Sequence, residues 1–261
     1  MKKLVLAFLV LTSCNINAQQ KAAIVYDDNA QVRKVASFNA ISVSSAIDLY
    51  LTQSASNKVA VSASSDEIRD HIITEVEGGV LIIRLGENGS WFNWKKWGNY
   101  KTKAYVSIKD IDAITASGAS DVHLVNRIES SKIRINLSGA SDLKGDINAG
   151  VIIYDISGAS NCKSSVDANT IAISGAGASK IELAGRVDDL SVVISGASDA
   201  RLYNLNSKGA ILKSSGASSI QATVTELLKA NSLGASSIDY KGNPSVKESN
   251  TSGASSIRHK N

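Results

Sequence analysis

One tetrapeptide, Ser-Gly-Ala-Ser, recurs through the second half of the chain. It stands intact at Ser117–Ser120, Ser138–Ser141, Ser157–Ser160, Ser195–Ser198, Ser215–Ser218 and Ser252–Ser255. The variants Ala176-Gly177-Ala178-Ser179 and Leu233-Gly234-Ala235-Ser236 fill the two gaps. The glycines are therefore Gly118, Gly139, Gly158, Gly177, Gly196, Gly216, Gly234 and Gly253, spaced by 21, 19, 19, 19, 20, 18 and 19 residues. A catalytic residue is needed once, whereas a corner is needed on every coil. Eightfold recurrence at nearly one period thus marks an architectural unit, and periods of roughly 20 residues or more belong to solenoids.

The flanks of each corner select the kind of solenoid. Before the glycines stand alternating apolar pairs such as Ile135 and Leu137, Tyr154 and Ile156, and Val192 and Ile194. After them stand Leu143, Ile181 and Leu183, and Ala200 and Leu202, with polar residues between. Short alternating runs bounded by Gly and Ser read as strands. Each coil is thus expected to be a strand, a tight corner, a second strand and a looser return such as Asp146–Gly150 or Asn204–Gly209. The fold class is all-β, a parallel β-helix of about 19 residues per coil, and the eight corners would span about 34 Å at the inter-strand spacing.

The chain of 261 residues suffices for one elongated domain, read here as 19–261, with less regular first coils at 21–116 and regular repeats at 117–261. Residues 1–18 read as an export signal: Lys2 and Lys3, an apolar run from Leu4 to Leu11, then a cleavage region. Two cleavages compete. Leu11-Thr12-Ser13-Cys14 resembles a lipobox, giving a lipoprotein signal to residue 13 and a lipidated Cys14, whereas Ile16-Asn17-Ala18 suits ordinary cleavage before Gln19. Only a lipid on Cys14 would tie the mature chain to a membrane. The destination is outside the cytoplasm: periplasm, outer membrane or cell surface of a Gram-negative bacterium. Cys162 then lacks an intramolecular partner and is expected to be an inert core thiol in line with Val122, Leu143 and Ile181. The net charge of +4 falls to about +2 once Lys2 and Lys3 leave, and no basic block survives to suit nucleic acid.

Residues 21–116 are β-rich but less regular. Ser44-Ser45-Ala46-Ile47-Asp48 looks like a corner with serine in place of glycine, and Val59–Ala63 like a short strand. A helical turn is expected over Asp66–Ile73, with Ser65 or Asp66 at its start, and a hairpin over Glu75–Leu85 around Gly78-Gly79.

Three blocks now occur in order: Ile41–Gln53, Glu75–Ile83 and the serial Ser-Gly-Ala-Ser corners. Together they resemble the head GIN domain family, described as auto-transporter adhesins of bacterial envelopes, and the resemblance covers nearly the whole mature chain. It implies a right-handed parallel β-helix with no established catalytic residues. The word adhesin rests largely on fold, which by itself does not give function.

The chain carries no nucleophile elbow, Walker loop, His-Glu-x-x-His or paired-cysteine metal spacing, so no catalytic, cofactor or metal residue is assigned. His123, Lys144, Lys163, Glu182, Arg201, Gln221, Asp239 and Arg258 should form one exposed column of mixed sign. Asp121 and Asp142, one coil apart, could hold Ca²⁺ as in a β-helix polysaccharide lyase, but Lys180 stands in the same column. The remaining anomaly is Gly86–Tyr100, where Trp91, Trp94 and Trp97 gather with Phe92, Tyr100, Lys95 and Lys96 in a chain only 5% aromatic. Trp91, Trp94, Trp97, Tyr100, Lys95 and Lys96 would make either a flap over the core or a platform for a glycan or protein surface. The reading is a non-enzymatic binding or adhesion module, with homo-oligomerisation left open. A carbohydrate-active enzyme and a structural envelope spacer are the alternatives.

Overall fold

The computed structural model describes residues 26–86 and 100–261. The chain opens with β1 (Gln31–Arg33), β2 (Ala40–Val43), β3 (Ile47–Gln53) and β4 (Lys58–Ala63). A short helix, α1 (Asp66–Asp70), leads to β5 (Ile72–Glu77), β6 (Val80–Leu85), β7 (Thr102–Ile108), β8 (Ala113–Ala116) and β9 (Asp121–Leu124). Long strands follow: β10 (Ile128–Leu137), β11 (Asp142–Ile156), β12 (Asn161–Gly175), β13 (Lys180–Ile194), β14 (Asp199–Ser214) and β15 (Ser219–Gly234). The described chain ends in β16 (Ser237–Lys241), β17 (Ser245–Gly253) and β18 (Ser256–His259). It is a parallel β-solenoid of about 8 turns.

The corners are where the repeat placed them. All eight glycines have positive φ, between +71° and +79°. Gly196 shows why no other residue serves: a Cβ there would sit 2.6 Å from the Gly177 carbonyl oxygen of the coil beneath. Successive corners are joined by backbone bonds that all run one way, from the alanine N–H of one coil to the glycine carbonyl of the coil before, as from Ala140 to Gly118 and Ala159 to Gly139. The fourth corner residue is buried in every coil from Ser120 to Ser236. Its hydroxyl accepts a backbone N–H from the preceding coil, as Ser141 Oγ does from Ser120 and Ser160 Oγ from Ser141, both at 3.3 Å. It can also donate within its own corner, as Ser198 Oγ does to the Ser195 carbonyl at 2.8 Å. A buried hydroxyl so placed satisfies groups that would otherwise be costly to bury.

The return differs from expectation. Asp146–Ala149 pairs in parallel with Ser165–Ala168, so the return is a third wall of the coil rather than a loose loop. Its inward residues Ile147, Val166 and Val187 are buried, which gives it an apolar reason to stack. Unequal repeat lengths are absorbed there: the register of β13 on β14 shifts between Glu182 and Gly185, and that of β14 on β15 between Leu202 and Gly209. Corners and both flanking walls stay aligned.

The early part is not a simple run of coils. Strands β2 and β3 form one coil whose upper neighbours are β8 and β9. Residues 54–112 leave that coil, double back, and place β6 and β7 in parallel on its other side. There the parallel stack stops, because β5 pairs antiparallel to β6, β4 antiparallel to β7, and β1 antiparallel to β4. The hairpin turns at Gly78 and Gly79, and α1 begins at Ser65, whose side chain caps the Ile68 N–H. Phe38, Ile68 and Ile72 bury their side chains in this cap.

Core columns are aliphatic through the middle and turn polar toward the far end. Leu137, Ile156, Gly175, Ile194, Ser214 and Ser232 succeed one another in one inward column. Ser214, Ser232 and Ser236 close a triangle of hydroxyl contacts at 2.9–3.0 Å. Cys162 is buried in the column of Leu143 and Ile181. Burial pushes its thiol up to about 12, which leaves it unreactive at neutral pH.

Candidate functional site

The wall that follows each corner carries two straight outward columns, as expected from the sequence. The first runs His123, Lys144, Lys163, Glu182, Arg201, Gln221, Asp239, Arg258. Its ion pairs include Lys163 with Glu182 at 2.9 Å and Arg258 with Asp239 at 2.7 Å, each between neighbouring coils. Arg201 instead pairs within its own strand with Asp199, at 2.7 Å. The second column places Asp121 beside Asp142. Asn161 donates to Asp142 at 2.7 Å, so one carboxylate of the pair already has a partner. Among the described residues, no group of three or more His, Cys, Asp and Glu could hold a metal ion.

Below His123 the first column turns aromatic. Tyr50 of β3 stacks on His123 at 4.9 Å, Tyr105 of β7 stacks on Tyr50 at 5.3 Å, and Tyr26 meets Tyr105 edge-on at 5.6 Å. Four rings thus follow one another along the axis at the capped end. Stacked and edge-on ring pairs are worth about 0.5–1.5 kcal/mol beyond area burial. Sequence reasoning missed this ladder, because Tyr105 lies in the excursion and Tyr26 precedes β1, so neither belongs to the repeat.

Asp27 fastens the end of the ladder. It accepts from Ser62 at 2.6 Å, Tyr105 at 2.9 Å and Lys103 at 3.3 Å. Burial works to raise its carboxyl, but these hydrogen bonds outweigh that and hold it below the ordinary carboxylate value. The bond to Asp27 in turn raises the Lys103 ammonium. Asp48, beside Asp121 in the second column, moves the other way: burial and then the Asp121 charge raise its carboxyl.

Val43 pairs with Ile83 and Ile47 with Thr102, so the end of β6 and the start of β7 flank the short corner 44–46. Trp91, Trp94, Trp97, Lys95 and Lys96 lie outside the described residues, as does Cys14. Tyr100 is described and packs, partly buried, against the core cluster.

Residues 37–244 match the family model "Putative auto-transporter adhesin, head GIN domain". The chain belongs to this family. No curated protein sequence matches it. Among solved structures it is similar to a Parabacteroides distasonis protein described as a "Putative lipid binding protein", with TM-score 0.79 and 21% identity over 90% of this chain and 98% of that one. A "putative adhesin" of Parabacteroides merdae gives TM-score 0.79 and 18% identity, covering 89% and 95% of the two chains. One of Bacteroides fragilis gives 0.65 and 20%, covering 88% and 96%. At these identities the likeness establishes the shared fold. The family label points to a surface or exported protein.

Proposed function

We propose that this head GIN domain protein is an exported, non-enzymatic binding module that holds a glycan or protein surface at the capped end of its solenoid. The observation that carries the reading is the concentration of rings there. Tyr26, Tyr105, Tyr50 and His123 form a ladder at that end, and in sequence the Trp-rich segment falls between β6 and β7, the strand that carries Tyr105. Aromatic side chains join a large apolar surface to a polar edge, and they dominate binding hot spots. The family label of adhesin supports the same reading.

The test replaces Trp91, Trp94 and Trp97 by alanine together, with thermal melts run beside binding to whole bacterial envelopes. A platform predicts at least about tenfold weaker binding with the melting temperature unchanged, since one hot-spot residue is typically worth more than 1 kcal/mol. A flap predicts an earlier melt with binding retained at low temperature, and that result would end the platform reading. The mass of the mature amino terminus, Gln19 or lipidated Cys14, decides the mode of anchoring.

A further inference from the structure

Above His123 the aromatic column runs without a break into Lys144, Lys163 and Glu182. Beside these residues the wall bends into the return, and the bend is hollow, with a shallow cavity of about 370 Å³. It is hollow because successive rungs place Gly145, Ser165 and Ala184 there, side chains too short to fill the space. At Gly145 (φ +140°) the backbone itself excludes a side chain, since a Cβ would lie 2.4 Å from that of Leu124.

We propose that this groove binds a neutral, unbranched glycan lying along the solenoid axis. The proposal rests on the reading of the protein as a binding module but uses residues other than those of the Trp segment. Lys144 and Lys163 are matched by Asp146 and Glu182 in the same groove, so its charges cancel. Lys163 and Glu182 already neutralise each other at 2.9 Å. A polyanion therefore finds no net attraction, whereas sugar hydroxyls can donate to the carboxylates and accept from the ammonium groups. Ser165 adds a hydroxyl, and Asn204 adds an amide from the next coil. Donors and acceptors repeat at the rung spacing of roughly 4.8 Å, about the length of one pyranose unit in a linear chain. The rings of His123 and Tyr50 continue the track at one end and offer apolar edges to sugar C–H groups. The cavity lies at the small end of the range for ligand sites, about 300–1,000 Å³, which suits a shallow track more than an enclosed pocket. A second cavity of about 410 Å³ follows on the return wall. Its Arg186 is tied to Asp167 and its Lys208 to Asp188, so its charges are taken up in ion pairs.

The test uses calorimetry on the whole mature protein with cello-, xylo- and malto-oligosaccharides from dimer to hexamer. At least one series should bind, with affinity climbing from dimer to tetramer as each unit meets another rung, then levelling off. Affinity should change less than about twofold between roughly 0.05 and 0.5 M salt, because no net charge is screened. Ala184→Trp fills the groove and should weaken binding at least tenfold at an unchanged melting temperature. The double variant Lys163→Met, Glu182→Met removes the central ion pair of the rim while keeping its bulk and should do the same, so a folding failure of either one leaves the other as the test. The groove is overturned if no neutral series binds at millimolar concentration, or if binding survives both variants. It is overturned too if acidic oligosaccharides bind instead with steep salt dependence. Sugar binding lost in the Trp triple variant but kept in the groove variants rejects the groove and leaves the platform standing; the reverse rejects the platform alone.

Discussion

At the scale of single residues, the corner serines show how a polar side chain can be structural. Ser160 is buried, and its hydroxyl is the acceptor for the Ser141 N–H. Alanine would fit the space but leave that N–H without a partner, so Ser160→Ala should cost about 1–3 kcal/mol in denaturant unfolding. A cost near zero would show that the hydroxyl is dispensable. Asp48 makes the opposite case. Its carboxyl is raised above 3.8 by burial and by Asp121, with His123 and Lys103 offsetting part of this. A raised folded value means that the native state favours the protonated form, so stability is gained as pH falls through that value and the charge is a liability at neutral pH. Asp48→Asn should therefore raise the melting temperature at pH 7, and its advantage should disappear below the ordinary value of 3.8. A lower melting temperature at pH 7 would refute the assignment. The position of Asp48 beneath Asp121 was not legible from the sequence, since β3 and β9 are joined only through the excursion between them.

At the scale of elements, what repeats in identity was legible and what repeats only in shape was not. The corners and the two walls beside them were readable because Gly, Ala and Ser recur at fixed offsets from alternating aliphatics. The return carries Asp146-Ile147-Asn148 in one coil and Ser165-Val166-Asp167 in the next, with no shared residue, yet the two pair in parallel. Backbone hydrogen bonding and one inward apolar residue per rung suffice there, and neither leaves a motif. The first corner was legible as a degenerate one, and it is strained: Ser45 and Ala46 have φ of +66° and +58°. An L-residue in this region costs roughly 1–2 kcal/mol, while glycine costs about 0.5–1 kcal/mol in extra unfolded-state freedom. Ser45→Gly should therefore stabilise the protein by up to about 1 kcal/mol, measured by chemical denaturation. Destabilisation would mean that the Ser45 side chain makes a contact worth more than the strain. The Trp segment stood out by composition, whereas the pairing of β6 and β7 with β2 and β3 on either side of it left no mark in the sequence.

At the scale of the whole molecule, the two ends of the solenoid are unlike. One end is closed by antiparallel strands and α1 over Phe38, Ile68 and Ile72. At the other end all nine residues of β17 are exposed, and Ser249 and Thr251 occupy the positions that Ala230 and Ser232 hold one coil earlier. Leu233 and Val246 are 45% and 44% exposed. Each coil of a solenoid is held by its neighbours, so stability behaves as a sum of nearest-neighbour terms and a coil with one neighbour opens first. The edge also carries a register shift at Lys247, between the pairings of Val246 and Glu248, and such irregularities discourage strand addition. Hydrogen exchange should therefore be fastest in β17 and β18 and slow progressively toward β12 and β13, with the capped end more protected than the open one. Removing residues 242–261 should lower the melting temperature by only a few degrees, since the deletion takes about one coil and its single interface. Deleting 54–112 should instead prevent soluble expression, because Leu49 and Leu51, now fully buried, would lose the cap that covers the end of the core. Protection in β17 equal to that in β12 at low protein concentration would contradict fraying from this end and would require a partner seated on the open edge.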